Sequence, residues 1–227
     1  MAFTLDKVVP WGRSFEEYVA MFALSREDLG KRILGCGDGP ASFNSMLTKQ
    51  GGYVISADPL YRFSAADIGR RIDETYEEVI KQTRNNKNEF VWQHISSVKE
   101  LGRVRMDAMK AFLSDFPTGR KEGRYIEASL PDLPFKDGVF DIALCSHFLF
   151  LYSEQLSEDF HIQSIKELCR VSSEARIFPL LELGAKKSRY LESIKDRLVK
   201  DGLAVTIEKV PYEFQKGGNE MMRIKHT

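Results

Sequence analysis

Apolar residues in this chain recur with two different periods, and each change of period marks the boundary of an element. Near the start Phe15, Tyr18, Val19 and Phe22 return at helical spacing behind Ser14-Phe15-Glu16-Glu17, a capping box in which the serine oxygen meets the third amide and Glu17 reaches back. A helix therefore starts at Ser14. Ser25-Arg26-Glu27-Asp28 repeats the capping pattern, and Gly30 can end that short turn. Two brief apolar segments follow, near Arg32 to Leu34 and from Gly52 to Ala57, each of a length suited to a strand. Then the period lengthens again. Ser64 with Asp67 caps a helix that places Ile68, Ile72, Tyr76, Val79 and Ile80 on one face until the polar run Arg84-Asn85-Asn86-Lys87-Asn88 ends it. Val104, Met109, Phe112, Leu113 and Phe116 stripe a second helix, which Pro117-Thr118-Gly119 closes.

Strands and helices alternate over the rest of the chain. Arg124 to Ala128 and Val139 to Cys145 are strands, Ser157 to Val171 is a helix carrying Ile162, Ile165 and Cys169 inward, and Ala175 to Leu181 is the next strand. Tyr190, Leu191, Ile194 and Leu198 mark a further helix that stops at Asp201-Gly202, before two last strands over Leu203 to Val210 and Glu220 to Lys225. Such alternation predicts an α/β fold. One domain spans 1–227, with a helical segment over 1–30 and a helical insertion over 63–123 between strands two and three, where one crossover helix would suffice. The insertion is expected to be separable from the sheet's core and to roof an acceptor pocket rather than to form a dimer surface. Phe90, Trp92 and His94 are its candidate pocket residues, against a plain role in its own small core.

The stretch Ile33-Leu34-Gly35-Cys36-Gly37-Asp38-Gly39-Pro40 carries the chemistry. Three glycines at alternate positions let the backbone turn tightly from strand to helix and leave its N–H groups open to a ligand, with Pro40 at the expected helix start. A dinucleotide fingerprint needs a glycine at the sixth position from Gly35, where this chain has Pro40, so pyrophosphate is disfavoured. Asp58 ends the second strand, and an acid there can accept from both hydroxyls of a ribose. The two features together point to a nucleoside-type cofactor.

Leu34 to Gly39 with Asp58 resembles the cofactor site of class I S-adenosylmethionine-dependent methyltransferases, and Leu133-Pro134-Phe135-Lys136-Asp137-Gly138-Val139-Phe140-Asp141-Ile142-Ala143-Leu144-Cys145 is similar to the family's segment joining its third and fourth strands. The resemblance runs from Lys31 to Thr227. It implies a Rossmann-like, doubly wound sheet of seven strands, mostly parallel with the last antiparallel, and S-adenosylmethionine as cofactor. Carried over residue by residue, it puts Gly35, Cys36, Gly37, Asp38, Gly39, Asp58, Pro59, Leu60, Ser129, Leu130 and Ser146 against the cofactor. Two positions depart from the family pattern. Many members carry an acid where this chain has Ile33, and another acid, which accepts from the adenine amino group, where it has Ser129. Past strand four, His147 is the candidate catalytic base, weighed against a cofactor-contacting or packing role, with an unperturbed pKa of about 6.5 and hence a rate that falls as pH drops through it. The segment Val9-Pro10-Trp11-Gly12-Arg13 either anchors the terminus, the favoured role, or closes over the cofactor.

Composition narrows the partners. Thirty-three basic residues balance thirty-three acidic ones with no long basic block, so neither nucleic acid nor an anionic membrane is an indicated partner. No apolar run approaches the roughly 20 residues of a membrane helix and no signal peptide pattern is present, which predicts a cytoplasmic protein. Cys36, Cys145 and Cys169 have no zinc spacing and read as buried filler, and the four histidines have no ligand spacing. Strand four ends Cys145-Ser146-His147-Phe148 rather than in a Pro-Pro-Tyr box, and no Pro-Cys pair offers a nucleophile for cytosine. The expected activity is direct methyl transfer to a small, partly apolar molecule. Two other function classes stay open, a non-catalytic cofactor-binding or scaffold protein of this fold and a nicotinamide-dependent oxidoreductase. The oligomeric state also stays open, with a homodimer among the outcomes.

Overall fold

A computed structural model describes residues 10–227, so Val9 lies outside the described residues. Both expected capping boxes are formed: Ser14 starts α1 (Phe15–Met21) with Glu17 reaching back, and Ser25 starts α2 (Arg26–Leu29) with Asp28 in the same role and Gly30 as C-cap. The buried Arg176 guanidinium fastens this segment to the sheet by donating to the Phe22 carbonyl at 2.7 Å and to Asp28 at 3.1 Å. The chain then runs β1 (Arg32–Cys36), α3 (Phe43–Lys49), β2 (Tyr53–Ala57), α4 (Ala65–Asn85), α5 (Val98–Lys121), β3 (Tyr125–Ile126) and β4 (Phe140–Ser146). It continues through α6 (Glu158–Val171), β5 (Ser172–Phe178), a small hairpin of β6 (Leu181–Glu182) and β7 (Lys186–Lys187), α7 (Leu191–Lys200), β8 (Leu203–Lys209) and β9 (Glu220–His226).

Seven of the strands form one sheet in the order β3-β2-β1-β4-β5-β9-β8, parallel except for β9, which is antiparallel to both β5 and β8. This is the doubly wound α/β sheet expected of the sequence. One face is packed by α6 and α7 around Leu34, Ala143, Ile165 and Ile194, and the other by α1 and α3 around Ile33, Phe43, Ile142 and Leu144. Strands buried on both faces read as continuous apolar runs, which is why β4 was legible as Phe140-Asp141-Ile142-Ala143-Leu144.

Several boundaries depart from expectation. Pro40 precedes rather than starts its helix, because Gly39 and Pro40 form the turn and α3 begins at Phe43 behind Ser42. β3 is reduced to two residues, and β5 starts earlier, at Ser172, and stops before Pro179. α5 does not end at Pro117 but runs through it to Lys121. Its last turns are held by Phe112 and Phe116, which pack with Tyr61 and Tyr125 in a separate aromatic cluster, so tertiary burial outweighs the local cost of a proline in a helix.

The 63–123 segment, expected to be separable, packs against the rest of the chain. α5 packs on α3 and β3, and its buried Arg105 pairs with Glu17 of α1, so it belongs to the layer that covers the sheet. α4 lies across α5 and reaches the carboxyl ends of the strands. Among the described residues, no helix is long and apolar enough to cross a membrane.

Candidate functional site

The strand order reverses between β1 and β4, and beyond the carboxyl ends of β1, β2 and β4 opens a cavity of about 910 Å³. Such a reversal leaves a crevice that no crossover helix fills, the place where open α/β sheets bind ligands. A cavity at the upper end of the roughly 300 to 1,000 Å³ seen for ligand sites has room for more than one small guest.

The glycine turn forms its floor. Gly37 and Gly39 hold φ of +68° and +52°, a left-handed conformation that side-chain-bearing residues rarely adopt. Asp58 ties the turn to the end of β2: one carboxylate oxygen accepts from the Gly39 N–H at 2.8 Å and the other from the Leu60 N–H at 2.7 Å. Pro59 and Leu60 begin a 3-10 turn over Pro59–Arg62, which Asp58 caps. Burial raises the Asp58 carboxyl above its usual value while these two amides work to lower it. Each oxygen keeps a lone pair for a further donor.

Asp38, which the resemblance places against the cofactor, lines the cavity. Its side chain folds back over Gly35, where a Cβ would lie 1.9 Å from the carboxylate, and it accepts from the Tyr18 hydroxyl at 2.8 Å and from Ser56 Oγ at 2.7 Å. Burial pushes its pKa up to about 6 against those two hydrogen bonds. The loop thus carries a buried acid as its fourth residue. Tyr18 was visible only as part of an apolar helical stripe and Ser56 only as a strand residue, so neither gave a signal of this contact.

The remaining candidates line the same cavity. Cys36 is at its floor and, with Cys145 as its register partner on β4, is fully buried; burial holds the Cys36 thiol well above its usual value and takes Cys145 to about 12. Thiols so held stay protonated and act as small apolar filler. Ser129 is exposed at the rim, its carbonyl accepting from the Asp132 N–H at 3.1 Å, and the Leu130 side chain is buried. Ser146 ends β4, its Oγ 3.0 Å from His147 Nδ1. His147 has φ of +50°, its N–H donates to the Phe178 carbonyl at 2.7 Å, and its ring meets Phe178 edge-on. A left-handed non-glycine residue beside a cavity is strain of the kind that collects at functional sites.

Burial, with the Arg13 and Arg105 guanidiniums added, lowers the His147 pKa well below 6.5, which moves the expected fall of the rate to lower pH. Arg13 and Trp11 line the cavity, and the Ser42 N–H at the start of α3 donates to the Arg13 carbonyl at 3.0 Å. Ile68, Arg71, Val79 and Arg105 of the insertion also line the cavity, as a roof would, and Phe90 does so while stacked on Phe214 at 4.9 Å. Trp92 packs edge-on against Phe214, and His94 is exposed on a neighbouring cavity. Arg105 itself went unread, although Leu101, Arg105, Ala108 and Phe112 form one buried helical row in which a guanidinium stands out.

No protein-family model matches the sequence. The chain is 38% identical over 222 residues to an uncharacterized protein of Methanocaldococcus jannaschii, covering 97% of both. Among solved structures it is similar to mitomycin 7-O-methyltransferase MmcR, with a TM-score of 0.51 and 12% identity over 94% of this chain and 54% of that one, so it spans about half that enzyme's length. It also aligns with the magnesium protoporphyrin IX methyltransferase of Synechocystis PCC 6803 with bound S-adenosylmethionine, at a TM-score of 0.47 and 11% identity over 94% of this chain and 78% of that one. At such identities the likeness to MmcR speaks for the fold, which is that of the class I methyltransferases.

Proposed function

Since the chain belongs to one family with the uncharacterized Methanocaldococcus jannaschii protein and has the class I methyltransferase fold, we propose that it transfers the methyl group of S-adenosylmethionine to a small-molecule acceptor by direct displacement. The observation that carries this reading is the junction of glycine turn and acid: Asp58, at the end of β2, holds the Gly39 N–H at 2.8 Å at the edge of the 910 Å³ cavity. The residues fit the cofactor. Gly39 has open space where a Cβ would be, Asp58 keeps acceptor capacity for ribose hydroxyls, and Ser129 with the Leu130 backbone edges the rim where adenine would lie.

When bound, the cofactor supplies an electrophilic methyl carbon. The chain's own task is then to align the acceptor with it and to exclude water. α4 and Arg105 of α5 wall the acceptor side, and Trp11 and Arg13 cover the glycine turn. His147, kept neutral, can take a proton from the acceptor's nucleophile through its unprotonated ring nitrogen.

Calorimetry with S-adenosylhomocysteine and a labelled-methyl screen of metabolite extracts test the proposal. Asp58→Ala removes a carboxylate that holds two backbone amides, and one charge-assisted hydrogen bond is worth about 1.5 to 3 kcal/mol, so affinity should fall by roughly tenfold or more. Unchanged affinity in the folded variant sinks the assignment of Asp58. Absence of binding by the native protein sinks methyl transfer and favours a scaffold, while tight NADH binding favours the oxidoreductase.

Asp38 sets a pH dependence of its own. Its folded-state value of about 6 makes it anionic above that pH and neutral below, and an anion lining the cavity favours a sulfonium. S-adenosylmethionine binding is therefore expected to weaken as pH falls through about 6, and Asp38→Asn to flatten that profile. A variant with the native pH profile would show that another group titrates.

A further inference from the structure

Arg105 comes from the middle of α5, at 0% exposure, and lines the large cavity. Its Nη1 donates to Glu17 and the Tyr212 hydroxyl stands close to the guanidinium, but its Nε and Nη2 make no hydrogen bond among the described residues. Those two N–H groups share one edge of a planar fork, the edge on which a carboxylate docks through two parallel hydrogen bonds. Beside it Arg13 donates from Nη1 to the Trp11 carbonyl at 2.6 Å, while its buried Nε is likewise without a partner among the described residues.

Both guanidiniums are charged at neutral pH. Burial works to raise the Glu17 carboxyl, but the Arg105 guanidinium overcomes it and holds Glu17 down to about 2, so Glu17 is an anion. Burial, with Arg105 nearby, lowers Arg13 to about 10, which still leaves it charged at neutral pH. His147 is neutral there, and burial keeps the Tyr18 and Tyr212 hydroxyls protonated, that of Tyr212 donating to Glu17 at 2.7 Å. Two cations thus face Glu17 at this end of the cavity, and the next carboxylate along it, Asp38, is engaged by the Tyr18 hydroxyl. Buried N–H donors without partners are costly, so the open edges of the two guanidiniums are prepared for a negative group.

We propose that Arg105 and Arg13 form a carboxylate-binding subsite for the methyl acceptor, which is a small aromatic or apolar carboxylic acid. The inference rests on the methyl-transfer reading for the guest's role as acceptor, and on the side chains alone for its charge. Arg105 belongs to the helix that walls the acceptor side, and Trp11, Phe178, Tyr212 and Phe214 supply flat apolar surface around the pair. The open Nε–Nη2 edge of Arg105 matches the two coplanar oxygens of a carboxylate.

Matched pairs test this: benzoate, phenylacetate and 2-naphthoate against their amides, with phenyl phosphate alongside, titrated calorimetrically into the native protein with and without S-adenosylhomocysteine. Arg105→Lys keeps a cation for Glu17 but loses the fork, and thermal melting checks that it folds; the double variant Glu17→Gln, Arg105→Met removes both charges where the single one is unstable. The native protein should bind at least one acid roughly tenfold or more tighter than its amide, and Arg105→Lys should lose that preference with S-adenosylhomocysteine affinity kept within about twofold. No preference for any acid overturns the proposal, and tighter phenyl phosphate binding overturns the carboxylate class. A preference that survives in Arg105→Lys while S-adenosylhomocysteine affinity drops also overturns it, because the fork would then serve the cofactor's own carboxylate, with methyl transfer left standing. A protein that binds no S-adenosylhomocysteine yet prefers carboxylates through Arg105 keeps the subsite and defeats the methyl-transfer reading.

Discussion

Gly37→Val should abolish measurable S-adenosylhomocysteine binding, a loss of roughly a hundredfold or more, while the protein still folds with a lowered melting temperature. Gly37 sits at φ of +68°, and a Cβ there would lie 3.1 Å from the Phe148 Cβ. Left-handed backbone costs an L-residue roughly 1 to 2 kcal/mol, and a β-branched one more, so the loop must shift, in the segment whose N–H groups face the ligand. Gly138→Ala is the control: it carries the same kind of strain at φ of +64°, with nothing within 4 Å of the added Cβ. It should lower stability by a similar amount and leave binding intact. If Gly37→Val binds within threefold of the native protein, the glycine turn is not the cofactor's floor.

His147→Ala should lower turnover by about a hundredfold, the lower end of what a general base contributes, with little change in S-adenosylhomocysteine affinity. His147→Gln separates the roles, since an amide can replace a hydrogen bond but cannot take up a proton near neutral pH. A glutamine variant with most of the native turnover would show that the ring only positions a ligand. Because burial and the guanidiniums of Arg13 and Arg105 hold His147 well below 6.5, any inflection of the rate from its protonation lies below that of an ordinary histidine. Its signature lies in stability. A histidine whose folded-state value is depressed contributes stability that is present above the unfolded value of about 6.5 and lost as pH falls below it, at up to about 1.4 kcal/mol per pH unit. Asp38, raised to about 6, acts in the opposite sense, its contribution being lost as pH rises towards 6. The difference between the melting curves of native protein and His147→Gln isolates the histidine. No difference in slope below pH 6.5 would place the His147 ring in contact with water.

How much of this was legible follows from what each feature depends on. Periodicity and capping depend on neighbours in sequence, so Ser14 with Glu17, Ser64 with Asp67, and the apolar run of β4 determined their elements before any packing was known. The glycine turn and Asp58 were equally local, because a backbone with φ above zero and an acid at a strand's end are needs that a residue type states by itself. Contacts between distant segments were a different matter. Only the tertiary structure brought Tyr18 of α1 and Ser56 of β2 onto Asp38, and Arg105 of α5 onto Glu17 of α1, since no spacing along the chain encodes which helix lies over which. It also decided that α5 runs through Pro117, where buried aromatics outweigh a local preference, and that His147 is too deeply set beside two cations to titrate at its ordinary pH. A residue's local conformation is governed by short-range sterics and hydrogen bonds, whereas its protonation and its counter-charges are set by whatever the fold packs around it.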